Sequence, residues 1–152
     1  MTLDLAFTLA NLSVLPGWLL LAAAPGAAVT RRLVHSFAYP LALGAVYAAT
    51  AAWLFTAAEA PEGASFGSLR GVMLFFSMPL AAFLGWVHYL VFDLFVGAWQ
   101  ARDARRRGLP HALLLPCLAL TFLLGPSGLL LYVALRYALR GASELEEAAG
   151  TF

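Results

Sequence analysis

Polar residues in this chain are confined to short islands between long apolar runs. A bilayer-spanning helix needs about 20 mostly apolar residues, and four runs meet that length: about 3–24, 34–58, 73–99 and 112–139. The islands are turn-rich: APGA at 24–27, EAPEG at 59–63 and ARDARRRGLP at 101–110. A polar tail, 141–152, follows the last run. The pattern predicts an all-α integral membrane bundle of four transmembrane helices in a single domain. Pro16–Gly17, Pro40, Pro79, Pro116 and Gly125–Pro126 all fall inside these spans. Proline removes an amide donor and crowds the preceding turn, so proline kinks are expected. GPSG at 125–128 is the best candidate for splaying the helices to open a cavity. Residues 66–79 read either as an interfacial helix before a break at Pro79 or as the first turns of a long third helix.

Composition agrees with the pattern. Hydrophobic residues make up 62% of the 152 and charged residues only 11%, against about a quarter charged in soluble domains; mean hydropathy is +0.85. A net charge of +1 gives no reason to expect nucleic acid as a partner. The distribution of charge is more informative. Arg31 and Arg32 lie in the first loop, and Arg102, Arg105, Arg106 and Arg107 in the third. By the positive-inside rule these loops are cytoplasmic. Arg70, Arg136, Arg140 and the glutamates are then expected toward the other side, with both termini non-cytoplasmic. The first run ends in small residues, as a cleaved signal peptide does, but Met1–Asp4 lacks a basic region and Asn11, Ser13 and Pro16 interrupt it.

The third run holds the informative polar residues. With its core at about 79–99, His88 falls near the midplane and Asp93 about 7 Å beyond it at ~1.5 Å per residue. Trp86, Tyr89, Asp93 and Gln100 share one face. His88 and Asp93 point about 140° apart on an ideal helix, so each is expected to find its own partner on another helix. Candidates are Asn11, Ser13, Tyr39, Tyr47, Thr50, Thr121, Ser127 and Tyr132. An aspartate at a span's centre costs roughly 2.5–3.5 kcal/mol, and such residues usually face the bundle interior and mark a site. The bland alternative is polar glue between helices. Trp86 and Tyr89 alone are as readily explained by packing. Asp103 and the arginines around it read as a solvated loop held at anionic headgroups, and His111 as interfacial.

Cys117 is the only cysteine, and His35, His88 and His111 are dispersed, so no metal site or internal disulfide is expected. No HExxH, CxxC, GxGxxG, P-loop or GxSxG pattern is present, and no soluble cofactor is called for.

WVHYLVFDLF, 86–95, resembles the central motif of the neoxanthin-synthase-like family, membrane proteins named after an abscisic-acid-deficient plant mutant. The likeness runs through Trp86, His88, Leu90, Asp93, Leu94 and Phe95. VLPGWLLLAAAP (14–25) with Thr30, YPLALGAVY (39–47), Asp103, His111 and Gly125–Pro126/Gly128 extend it over most of the chain in order. The resemblance implies a small four-helix membrane protein. In plants the family is tied to epoxide-to-allene isomerisation of a carotenoid. The chain opens directly on a hydrophobic segment rather than a transit peptide, and its alanine- and arginine-rich usage looks like a high-GC bacterium, so a bacterial inner membrane is the expected location.

Opening an epoxide needs an acid at oxygen, and forming an allene needs a base at the adjacent carbon. Asp93 can supply the first and His88 the second. Trp86, Tyr89, Phe92, Asn11 and Tyr47 are the expected substrate-binding residues, with Phe83 and Phe95 as further apolar walls. Three readings follow: a membrane isomerase acting on a carotenoid or other lipophilic molecule, a non-catalytic carotenoid- or lipid-binding or accessory protein, and a small transporter or proton relay. The last needs a homo-oligomer, since four helices leave little room for a pathway.

Overall fold

The computed structural model describes residues 2–141; the expected polar tail, apart from Gly141, lies outside them. Among the described residues there are seven helices and no strand. They are α1 (Leu3–Ala23), α2 (Ala28–Leu33), α3 (Ala38–Ala57), α4 (Leu69–Phe76), α5 (Pro79–Arg106), α6 (His111–Leu124) and α7 (Pro126–Arg140). Leu3–Ala23, Ala28–Ala57 and Pro79–Arg106 are long and apolar enough to cross a membrane.

Local chemistry sets the boundaries. The Thr2 hydroxyl accepts from the Leu5 amide at 3.3 Å and starts α1, as a side-chain oxygen at an N-cap does. Ser68 caps α4 by accepting from Gly71 N at 3.1 Å. The chain breaks at Ser77–Met78, so 66–79 is a separate short helix rather than the start of α5. Of the expected kinks, only Pro16 and Pro116 sit in helix interiors. Pro79 and Pro126 are first residues of α5 and α7, and Pro40 lies in the first turn of α3. There the missing amide donor costs nothing and the fixed φ favours the helix.

Helix α5 is the axis of the molecule. Val14, Trp18 and Leu21 of α1 join Val87, Leu90, Leu94 and Ala98 of α5 and Leu114, Cys117 and Leu118 of α6 in one core. Helix α3 flanks α5 on the other side but buries only Leu43 and Leu54.

The expected fourth span, 112–139, is not one helix. It folds at Gly125 into two arms of 14 and 15 residues, each about 21–23 Å at ~1.5 Å per residue and short of the ~30 Å hydrocarbon core. The arms are antiparallel. Arg140, ending α7, donates to the carbonyls of Arg107 at 2.7 Å and Gly108 at 2.6 Å, just before α6 begins. Gly128 lies so close to Thr121 that an added Cβ would sit 2.1 Å from its amide nitrogen. The fold-back tip, Gly125, meets Asp93, midway along α5. The sequence 112–139 therefore makes a hairpin that enters halfway and returns. Thr2 packs near Leu80 while Gly141 follows Arg140 beside Gly108, so the two described chain ends lie at opposite ends of α5.

A buried ionic cluster docks the hairpin. Asp103, expected in a solvated loop, is 1% exposed on a helix that runs seven residues past the predicted end at Trp99. It accepts from Tyr132 Oη at 2.5 Å and Arg107 Nε at 2.9 Å, and lies 3.4 Å from Arg136 Nη1. Arg136 is only 2% exposed, and lies with Arg140 at the end where Arg102–Arg107 are, not at the opposite one. Next to the cluster, the Gln100 amide donates to Thr121 Oγ1 at 3.0 Å, and Thr121 donates to the Cys117 carbonyl at 2.8 Å, all in the interior.

Removing one partner of a buried ion pair costs about 3–5 kcal/mol, because the other charge stays desolvated. Asp103→Ala should therefore destabilise the protein by about that amount, while Tyr132→Phe, which deletes one hydrogen bond to a charged acceptor, should cost about 1.5–3 kcal/mol. Thermal unfolding in detergent measures both. An Asp103→Ala protein as stable as the parent would mean that the cluster does not hold the hairpin.

Candidate functional site

Residues 85–93 lie above the hairpin tip, where neither α6 nor α7 covers α5. Trp86, His88 and Phe92 are exposed there, and Gly85, Tyr89 and Asp93 half-buried. On a helix turning about 100° per residue, these residues span one apolar-facing side of α5. His88 stands at one flank and Asp93 at the other, with Phe92 and Tyr89 between them.

The Asp93 flank is built against α1 and the hairpin. Trp86 Nε1 donates to Asn11 Oδ1 at 3.1 Å, and Asn11 is held by its own bond to the Phe7 carbonyl at 2.8 Å. Trp86 stacks on Tyr89, ring centroids 5.4 Å apart at 22°. One turn on, the Tyr89 hydroxyl faces the Asp93 carboxylate and the main chain of Gly125. Asp93 Oδ2 is buried with no hydrogen-bond partner among the described residues. That is a costly arrangement in a low-dielectric setting, and it places an unsatisfied carboxyl oxygen at the edge of the exposed face.

The His88 flank is built against α3 and α4. The His88 ring lies 4.6 Å from Phe92 and 5.8 Å from Tyr47 on α3, centroid to centroid. Its neighbours form a groove of about 290 Å³ lined by Tyr47, Phe55, Phe66, Phe75, Phe76, Leu84, Gly85 and His88. Phe75 and Phe76 come from α4, which closes the groove from above. Gly85 admits the Phe76 ring: a Cβ there would lie 2.7 Å from Phe76 Cε1.

The structure thus sorts the sequence-predicted residues into two neighbouring sets. Asn11, Trp86, Tyr89 and Asp93 form one; Tyr47, His88 and Phe92 form the other. His88 and Asp93 touch different helices, and neither is hydrogen-bonded to the other. Phe95 is exposed. Phe83 is buried and borders a separate cavity of about 470 Å³ with Thr2, Trp53 and Leu80. Of the other candidate partners, Thr121 and Tyr132 serve the docking cluster below, and Thr50 and Ser13 bond carbonyls of their own helices. Phe75, Phe76 and Gly125 were not singled out as site residues by sequence. The signal for Gly125 was the GPSG element; for the α4 phenylalanines, the apolar stretch just before Pro79.

Gly125 has φ +41° and ψ −92°, a sparsely populated region that costs residues with a Cβ about 1–3 kcal/mol, and an added Cβ would stand 2.8 Å from Asp93 Oδ1. Gly125→Ala should therefore lower the thermal stability and shift Trp86 fluorescence through the Tyr89–Asp93 contact. Gly44→Ala is the control: nothing lies within 4 Å of that position, and relief of glycine's helix penalty is worth about 0.5–1 kcal/mol. Equal effects at the two glycines would contradict the placement of the tip against Asp93.

No curated protein and no solved structure matches the chain. The family model described as ABA DEFICIENT 4-like matches residues 5–132, which takes in the three long apolar helices, the exposed face of α5, the hairpin tip and Tyr132. That is the family its 86–95 motif resembles, so the chain, with its long apolar helices, belongs to the ABA DEFICIENT 4-like family of membrane proteins related to neoxanthin synthase.

Proposed function

We propose that the protein is a membrane isomerase that takes a carotenoid or similar unsaturated lipophilic molecule across the exposed face of α5. The observation that carries this reading is the placement of two proton-transfer groups, His88 and Asp93, on the two flanks of one aromatic face of α5 that the hairpin leaves uncovered. A carboxyl with an unsatisfied buried oxygen is expensive to keep without use. Aromatic side chains between the two flanks present the flat, apolar surface that a polyene packs against.

In this reading the substrate itself bridges the pair. Asp93, protonated, donates to an epoxide oxygen of the substrate as its C–O bond breaks, and the His88 imidazole takes the proton from the adjacent carbon, whose C–H electron pair becomes the new double bond; the substrate gains one proton and loses one, and the proton left on His88 returns to Asp93 through solvent or product before the next turnover. Trp86, fixed by Asn11, and Tyr89 position the substrate at the acid end. Tyr47 and Phe92 orient the His88 ring. Loops rich in arginine face the cytoplasm of a bacterial inner membrane in this reading.

A second reading is favoured by one observation: His88 and Asp93 have separate neighbours rather than a shared cavity. A non-catalytic binding protein needs no convergence of the two.

Purification from a carotenoid-containing membrane, with mass spectrometry of the extracted lipids, tests both. A polyene or other isoprenoid should co-purify. Turnover should fall about 10²–10⁴-fold in His88→Ala and in Asp93→Asn, the usual contribution of a general acid or base, while the bound ligand is retained. Retention of ligand with no turnover in the parent protein supports the binding reading. Parent-level turnover in both variants would overturn the assignment of the pair.

A further inference from the structure

We infer that the turn joining α1 to α2 is a binding site for the phosphate of an anionic phospholipid, built by Arg31, Arg32 and Arg105. The site lies at the opposite end of α5 from the α4 flap and does not depend on the substrate reading above.

Its position comes from helix length. Helix α1 has 21 residues, about 32 Å at ~1.5 Å per residue, which matches the ~30 Å hydrocarbon core and leaves the Ala24–Ala27 turn at headgroup depth. The turn is rigid. Thr30, fully buried, donates from Oγ1 to the Ala24 carbonyl at 2.6 Å. His111 bonds the Ala22 carbonyl at 2.7 Å and His35 Nε2 the Pro25 carbonyl at 3.0 Å. These contacts tie the turn to α2 and to the base of the hairpin.

Two guanidinium groups are anchored on this platform from different helices. Arg31 Nη1 donates to the Gly26 carbonyl at 2.7 Å, and Arg105 Nη1 to the Pro25 carbonyl at 3.4 Å. Gly26 lets Arg105 lie against the main chain: a Cβ would meet Arg105 Cζ at 3.4 Å. Arg32 follows Arg31 at the end of α2. All three are exposed. The acceptors of Arg31 and Arg105 are neutral carbonyls, and no carboxylate pairs with any of the three among the described residues. A guanidinium has five N–H donors in a planar fork, so one bond to the chain leaves the rest of each fork for an outside acceptor, and phosphate is the anion that such forks match.

Among the described residues the wider field has the same sign. Arg102, Arg106, Arg107, Arg136 and Arg140 lie at this end with the three, and the one described carboxylate there, Asp103, is taken up by Tyr132, Arg107 and Arg136. The fold-back of the hairpin is what brings Arg136 and Arg140 to this side. Of the nine arginines, only Arg70 is at the other end.

The test uses the full chain in nanodiscs of phosphatidylcholine with a minority of phosphatidylglycerol. Lipid retained after release into neutral detergent is read by native mass spectrometry. Phosphatidylglycerol should be retained in preference to phosphatidylcholine. Each of Arg31→Gln, Arg32→Gln and Arg105→Gln should lower that preference about fivefold, and the triple variant on the order of 100-fold, since each basic residue near an anionic surface contributes by a similar increment. The triple Lys variant keeps the charge and should keep most of the preference; Arg70→Gln should leave it unchanged. Millimolar inorganic phosphate should neither displace the lipid nor raise the melting temperature. Parent-level preference in the triple Gln variant, with its melting temperature in pure phosphatidylcholine unchanged, overturns the site. So does inorganic phosphate that displaces the lipid, which would make it a free-anion site. An equal loss in Arg70→Gln would also overturn it, showing a response to net charge alone.

Discussion

The contact on which the structure depends is the buried carboxylate of Asp103. A charge so far from water is tolerated only when it is paired and hydrogen-bonded. Tyr132 and Arg136 come from one turn and the next of α7, and Arg107 is the residue that caps the end of α5. Satisfying Asp103 therefore requires α7 to lie antiparallel to α6 and against the lower half of α5. A straight helix over 112–139 would carry Tyr132 and Arg136 to the far side of the bilayer. The hairpin is thus the arrangement that resolves the burial of two opposite charges at once, with Gly125 and Gly128 making the tight return possible.

The same constraint shapes the upper half of the molecule. Because the hairpin stops midway along α5, the side of residues 85–93 that bears His88 and Phe92 is left without cover from α6 or α7, while Val87 and Leu90 face the core. His88, Trp86 and Phe92 are left on an open face, flanked by α1 and α3 and roofed by α4. Asp93 sits where the covered and uncovered halves meet, touching the hairpin tip. One docked element therefore accounts for the exposed aromatic face, for the position of the carboxyl beside it, and for the arrival of Arg136 and Arg140 among the arginines at the opposite end.

Much of this was legible in the sequence. The first two spans and the α5 core follow from apolar run length. The burial cost of His88 and Asp93 drew attention to the stretch of α5 that the hairpin leaves open, and the heptad-like spacing of Trp86, Tyr89 and Asp93 placed them on a common face. Helical geometry also separated His88 from Asp93, as the structure does. The hairpin was not legible, because a largely apolar run of 28 residues, 112–139, interrupted by GPSG satisfies the length rule for one kinked span just as it satisfies two half-length arms. Asp103 was hidden by its company: an acid among four arginines reads as a solvated loop. The i, i+4 spacing of Asp103 and Arg107 is a helix-favouring pair and was the available hint that α5 continues. Arg136, in the last apolar run, was the other: a cation there needs an anion, although the sequence alone offered Asp93 as well as Asp103.

The fold-back is measured most directly by a single distance. With Cys117 replaced by alanine, spin labels on cysteines at Pro110 and Leu139, both exposed, report the separation of the two ends of the 111–140 segment in a bilayer. Antiparallel arms packed at about 10 Å keep the labels within ~25 Å. A single crossing places them 29 residues apart along one axis, about 44 Å at ~1.5 Å per residue. A distribution centred near the shorter distance is the result expected of a hairpin docked on Asp103; one centred near the longer distance would contradict it.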